Sequence, residues 1–158
     1  MEKIFKKLKE TIENLEEVKI CPHYFEGSKN LLVYGDVSFI TYGGLVIFKK
    51  NNKYFVLKFD NVSDSITDNL KIDENFIGIY KTYFVEVDSL INEIRDAVEF
   101  AEEKKIMEIL GIDKKKISVM DLLALYDYYI LTLTSLEYAL KTDDEIEEEI
   151  KEFINNNL

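Results

Sequence analysis

The chain has 158 residues, 47% hydrophobic and 32% charged, the balance of one folded globular domain spanning 1–158 and not of a disordered tail. A single cysteine excludes a disulfide framework within one molecule and fits a reducing, cytoplasmic setting. The formal charge of −11, from 31 acids against 20 bases, argues against a broad basic clamp on nucleic acid, while leaving a metal-dependent enzyme open.

Residues 2–18 carry Ile4, Phe5, Leu8, Ile12, Leu15 and Val18 at steps of three and four. That spacing predicts an amphipathic helix, stopped before Pro22, and not a signal peptide. From 31 to 87 the period changes to two, in LLVY (31–34), VSFITY (37–42), LVIFKK (45–50), KYFVLKF (53–59), FIGIY (76–80) and TYFVEV (82–87). Asn51-Asn52 reads as a two-residue hairpin turn. It sets Phe48 opposite Phe55 and Val46 opposite Leu57 on one apolar face, with Lys49 opposite Tyr54 on the other. Gly43-Gly44 reads as a turn or bulge, and the polar segment 60–75 as a long loop.

Three helices are predicted next. The first is capped by Asp88 or Ser89, runs to about Leu110 and is ended by Gly111. The second, 119–141, opens on a capping box of Ser118 with Asp121 and is apolar on nearly every side, which suits a core centre or a homodimer interface. The third is acidic and capped by the Thr142–Glu145 box. One helix, a run of strands and a run of helices define an α+β fold. The expected sheet is mainly antiparallel with five to six strands, between an N-terminal helix and a C-terminal layer of three helices. No apolar run reaches membrane-spanning length, so no membrane partner is expected.

Glu86 is the most suggestive acid, because a strand carboxylate among Phe84, Val85 and Val87 must be hydrated or partnered. Two residues on, Asp88 shares its strand face, a spacing that would let both converge on Mg²⁺ or Mn²⁺. Such a cation would lower the pKa of water and neutralise charge on a phosphate. The ordinary alternative is a solvated strand acid followed by a helix cap. Asp36, in YGDVSF, follows the Gly27-Ser28 turn and shares a face with Ser38; its ordinary reading is a turn acid. Asp60, Asp64 and Asp68 are weaker candidates. Lys49, Lys50 and Lys53 at the hairpin tip, and Lys104, Lys105 and Lys114–Lys116 further on, are the groups that could meet DNA phosphates. Their ordinary role is solubility and edge protection. Arg95, the only arginine, could hold a phosphate or a carboxylate through two parallel hydrogen bonds. Cys21 and His23 lack the further ligands of a zinc site. Tyr126, Tyr128, Tyr129 and Tyr138 read as core or interface before base stacking.

Gly27-Ser28, Asp36-Val37-Ser38 and a later strand acid resemble the nucleotidyltransferase pattern. The gap is short, however, Ser38 stands where a second acid is expected, and strand replaces the helix after Gly-Ser. The whole chain, by its length, its helix–sheet–helices order and FVEVD, resembles the small α+β nucleases of archaeal filamentous viruses from hot acidic springs. That resemblance implies cleavage of linear double-stranded DNA and a remotely nucleotidyltransferase-like topology, with Glu86 as the matching acid. Abundant Lys and Glu with no Gln also suit a heat-adapted, thermostable protein, and equally an A/T-rich genome.

The functional expectation is therefore a metal-dependent DNA nuclease. Glu86, Asp88 and Asp36 would serve catalysis, Glu86 and Asp88 would hold the metal, and Lys49, Lys50, Lys53 and Arg95 would hold DNA. The alternative is an acidic viral interaction protein without catalysis, using its DDEIEEEIKE stretch as a DNA mimic or host-factor binder; that stretch is otherwise the solvated face of its helix.

Overall fold

A computed structural model describes residues 1–17, 31–35, 44–50, 52–59, 79–138, 141–142, 144–145, 148–149, 152 and 156. In chain order these form α1 (Glu2–Glu13), β1 (Leu31–Gly35), β2 (Gly44–Lys50), β3 (Lys53–Phe59), β4 (Ile79–Val85), α2 (Val87–Glu103), α3 (Ile106–Ile109), a 3₁₀ turn at Lys114–Lys116 and α4 (Val119–Tyr138). The class is α+β, with one helix before the sheet and helices after it.

The sheet is an antiparallel meander in the order β1-β2-β3-β4. Among the described residues it has four strands and not five to six. The segment 37–42 lies outside them, and the runs expected at 76–80 and 82–87 are one strand where described. That strand stays continuous by a bulge: Phe59 pairs with Ile79 and Lys58 with Lys81, so the ladder skips Tyr80. The hairpin register is the expected one, with Val46 opposite Leu57, Phe48 opposite Phe55 and Lys49 opposite Tyr54. Asn52 takes a positive φ of 60°, the geometry such turns demand. The Phe48 and Phe55 rings stack at 5.2 Å.

The two faces do not divide into apolar and polar. Val46, Phe48 and Phe55 are buried, and so are Leu45, Ile47, Tyr54, Val56 and Val85 on the opposite face. The second set joins the core made with the helices. It receives Phe5, Leu8 and Ile12 of α1, Leu90, Ile94 and Ala97 of α2, and Leu122, Leu123 and Tyr126 of α4. The α4 helix packs on all four strands and on α1 and α2, which accounts for its apolar surface on several sides.

Helix ends differ from the sequence reading for reasons of phase. The first helix stops at Glu13, with the Asn14 amide folded back on the Glu10 carbonyl at 2.7 Å. The α2 helix is capped by Glu86, in extended geometry, and not by Asp88 or Ser89. Val87 begins the stripe Val87, Leu90, Ile91, Ile94, so it belongs to the helix and the strand ends one residue before Glu86. The helix also breaks before Leu110. Continuing past Ala101 would turn Lys104 and Lys105 into the core; Lys105 instead takes φ 58°, and the chain resumes with Ile106 and Met107 buried. Gly111, at φ 68°, closes α3.

Both capping boxes are present. Asp121 accepts from the Ser118 amide at 2.7 Å while Ser118 Oγ accepts from the Asp121 amide at 3.1 Å. Glu145 accepts from the Thr142 amide at 2.8 Å, and its own amide donates to Thr142 Oγ1 at 3.3 Å. Asp144, Glu145, Glu148, Glu149, Glu152 and Asn156 have helical geometry. No helix of the described residues is long and apolar enough to cross a membrane.

Candidate functional site

The hairpin register decides which candidate residues meet. Lys50 pairs with Lys53, Lys49 with Tyr54, and Tyr54 with Val85. Glu86, one residue beyond Val85, therefore leaves the sheet beside Lys53, at the end where Lys49 and Lys50 also lie. The end of α1 arrives there too, through a parallel bridge between Glu17 and Lys49. The Lys49 ammonium sits 5.7 Å from the centre of the Tyr54 ring, a cation–π approach.

Glu86 is not a strand residue, and of the two environments open to it, hydrated or partnered, it has the hydrated one. As the cap of α2 it is exposed and makes no side-chain capping hydrogen bond. Its carboxylate has hydration and no desolvation to offset. The shared strand face with Asp88 is absent as well, since Asp88 stands in the first turn of α2. The Asp88 carboxylate accepts from the Lys9 ammonium at 2.6 Å, and Lys9 also lies 3.8 Å from Glu13. The Asp88 hydrogen bond raises the Lys9 pKa above its ordinary value. Tyr54 is buried beneath this corner. Desolvation raises its pKa first, followed by the charges of Glu13 and Glu86, so both carboxylates lie within electrostatic reach of the phenol.

Among the described residues no three His, Cys, Asp or Glu side chains are grouped to hold a metal ion. The Glu86–Asp88 pair does not fit as a two-carboxylate strand site, because both stand at the N-terminus of α2 and Lys9 holds Asp88. Asp36 lies outside the described residues, as do Gly27, Ser28, Ser38, Cys21, His23, Asp60, Asp64 and Asp68. Gly35, which precedes Asp36, ends β1 in register with Gly44 and Phe59. That is the end of the sheet opposite Glu86.

Arg95 is not brought to this end. Two helical turns beyond Asp88, about 10 Å along α2, it clamps Glu2 with Nη1–Oε1 2.5 Å and Nη2–Oε2 2.9 Å. Its guanidinium lies 4.2 Å from the centre of the Phe5 ring. This clamp fastens α1 to α2, and its hydrogen bonds lower the Glu2 pKa. Of the tyrosines, Tyr126 is buried and donates to Glu93 at 2.6 Å. Tyr129 meets Phe100 edge-on at 5.4 Å, and Tyr128 is exposed.

Sequence reasoning passed over one buried charged contact, between Lys58 Nζ and Asp127 Oδ1 at 3.0 Å, whose side chains are 3% and 18% exposed. Two signals pointed to it. Lys58 continues the alternation Tyr54, Val56, Lys58 onto the helix-covered face, and Asp127 interrupts the apolar surface of α4. No protein-family model, curated protein or solved structure matches this chain.

Proposed function

We propose that the chain hydrolyses phosphodiester bonds of linear double-stranded DNA at the hairpin end of its sheet, with Glu86 as the essential carboxylate. One observation carries this reading: the register gathers an exposed carboxylate and three lysines from separate segments at one edge. Lys49, Lys50 and Lys53 bind and orient the phosphate backbone. Glu86 would act there as the general base that takes the proton of the attacking water. Asp88 has a positioning role, holding the end of α1 through Lys9. Mg²⁺ or Mn²⁺, if held by Glu86 in place of that base role, would supply charge neutralisation at the phosphate. Arg95 takes no part, because Glu2 occupies its fork.

The test is cleavage of linear duplex DNA with Mg²⁺ or Mn²⁺, with and without chelator, by wild type, Glu86→Ala and Arg95→Ala. Activity lost only in Glu86→Ala supports the reading. Cleavage that survives Glu86→Ala removes the residue, and no cleavage with either metal removes the reaction.

A second reading is an acidic viral interaction protein without turnover, favoured by the charge of −11 and by exposed Asp144, Glu148, Glu149 and Glu152. It requires no cleavage and a salt-sensitive complex with a host DNA-binding protein. Neutralising Glu147, Glu148 and Glu149 would abolish that complex.

A further inference from the structure

The β2–β3 hairpin runs past the strands beside it. Among the described residues, β1 begins opposite Phe48, Glu17 bridges Lys49, and β4 ends at Val85 opposite Tyr54. Lys50 and Lys53 make one more pair, and a two-residue loop closes it. At about 3.4 Å per residue, the tip stands about 7 Å beyond the row of Lys49 and Tyr54. The second lysine group is remote from it, because Lys104 and Lys105 follow α2, whose 17 residues span about 25 Å.

Asn52 stands at the end of this ribbon. Its φ of 60° is left-handed, a geometry that glycine adopts most readily. The asparagine side chain gains nothing locally: its carboxamide is exposed and makes no hydrogen bond among the described residues. The turn therefore accounts for the backbone at this position and gives the amide no role.

A carboxamide presents an acceptor and two donors side by side. In duplex DNA that pattern matches the N7 acceptor and N6 donor of adenine, both in the major groove. The dimensions select the same groove. A two-stranded ribbon enters the major groove, about 12 Å wide and about 8.5 Å deep, and not the minor groove of about 6 Å. With strands about 4.8 Å apart, Glu86 lies about 7 Å to one side of the ribbon's axis, near the wall where the phosphates run. Exposed Glu17 takes the same place on the β2 flank, and its charge opposes the second wall.

We propose that the Lys50–Lys53 tip enters the major groove of duplex DNA and that the Asn52 carboxamide contacts an adenine edge there. This contact rests on the DNA-cleaving reading, to which it adds the groove and the base engaged.

Fluorescence anisotropy of the full chain tests it, at about 50 mM salt and with chelator, so that no cation-dependent cleavage intervenes. Two linear duplexes of alternating A·T pairs are compared. One carries adenine; the other carries 7-deazaadenine, which keeps the base pair and the minor groove but lacks N7. Wild type is expected to bind the adenine duplex about 3- to 10-fold more tightly, the effect of one hydrogen bond. Asn52→Gly, which suits the turn, and Asn52→Asp, which loses the amide donors, are expected to bind both duplexes equally, with unchanged circular dichroism spectra. Glu17→Gln is expected to tighten both duplexes alike and to keep the preference. Equal binding of the two duplexes by wild type, or no binding, overturns the proposal, as does a preference that survives Asn52→Gly. Failure of the catalytic reading is separate. A preference abolished by Asn52→Gly supports the groove contact even where cleavage survives Glu86→Ala, whereas cleavage that depends on Glu86 beside equal binding overturns the groove contact alone.

Discussion

Lys58 and Asp127 join the bulged end of β3 to α4 beside the apolar core. Lys58 pairs in the ladder with fully buried Leu45 and is itself 3% exposed. Asp127 retains 18% of its surface and so keeps some contact with water. Breaking a buried ion pair by removing one member costs about 3–5 kcal/mol, while replacing both with apolar groups is often neutral or stabilising by about 1–4 kcal/mol. The unequal exposure orders the single substitutions. Asp127→Leu removes the charge facing the deeper group and should cost about 3–5 kcal/mol; Lys58→Met leaves the partly hydrated carboxylate and should cost nearer 2–3 kcal/mol. The double variant should be more stable than either single one. Equilibrium urea unfolding of all four proteins yields the coupling energy directly. A coupling below about 0.5 kcal/mol, the additivity expected of independent sites, would refute the claim that this contact matters to the fold. Against a total stability of about 5–15 kcal/mol, either single substitution would be conspicuous.

The buried phenol of Tyr126 has its pKa raised, by desolvation first and then by Tyr129. A raised folded pKa makes its contribution complete below the ordinary value of 10.0 and progressively lost as pH rises beyond it. Tyr126→Phe should therefore lower stability at neutral pH by about 1–2 kcal/mol, through the lost hydrogen bond to Glu93, while flattening the alkaline unfolding curve; an unchanged alkaline limb would count against it. Ser118→Ala removes the cap of α4 and should cost about 1 kcal/mol in urea unfolding, with Ser118→Thr restoring most of the loss. Equal destabilisation by the two would show that the hydroxyl does not act as a cap.

Local chemistry was most legible where few residues determine the outcome. The Asn51-Asn52 spacing alone fixed which residues of the hairpin face each other, because a two-residue loop admits one register. The capping boxes at Ser118 and Thr142 were equally readable, each being closed within four residues. The strand-to-helix junction was harder, because Val85 and Val87 suit a strand and a helix alike. What decided it was the run Val87, Leu90, Ile91, Ile94 downstream, which draws Val87 into helical phase and makes Glu86 a cap. The break at Lys104–Lys105 is another matter of phase, since continuing the stripe past Ala101 would carry Lys104 and Lys105 into the core and a positive φ at Lys105 resets it onto Ile106 and Met107.

That junction also separates the legible part of the candidate site from the rest. The meeting of Glu86 with the hairpin lysines follows from strand pairing and could be anticipated once the β3–β4 register was known. The fates of Asp88 and Arg95 could not, because both are settled by α1, more than seventy residues away in sequence. Antiparallel packing of α1 on α2 brings Lys9 to Asp88 and Glu2 to Arg95, and both links occupy groups that spacing alone had reserved for metal and phosphate. Of the acids named for catalysis, Glu86 is therefore the described one that no ion pair within 4 Å holds among the described residues. With no group of three His, Cys, Asp or Glu side chains among the described residues, a nuclease using Glu86 is expected to bind its cation weakly without DNA; tight metal binding in the absence of DNA, measured by titration calorimetry, would point to a different site.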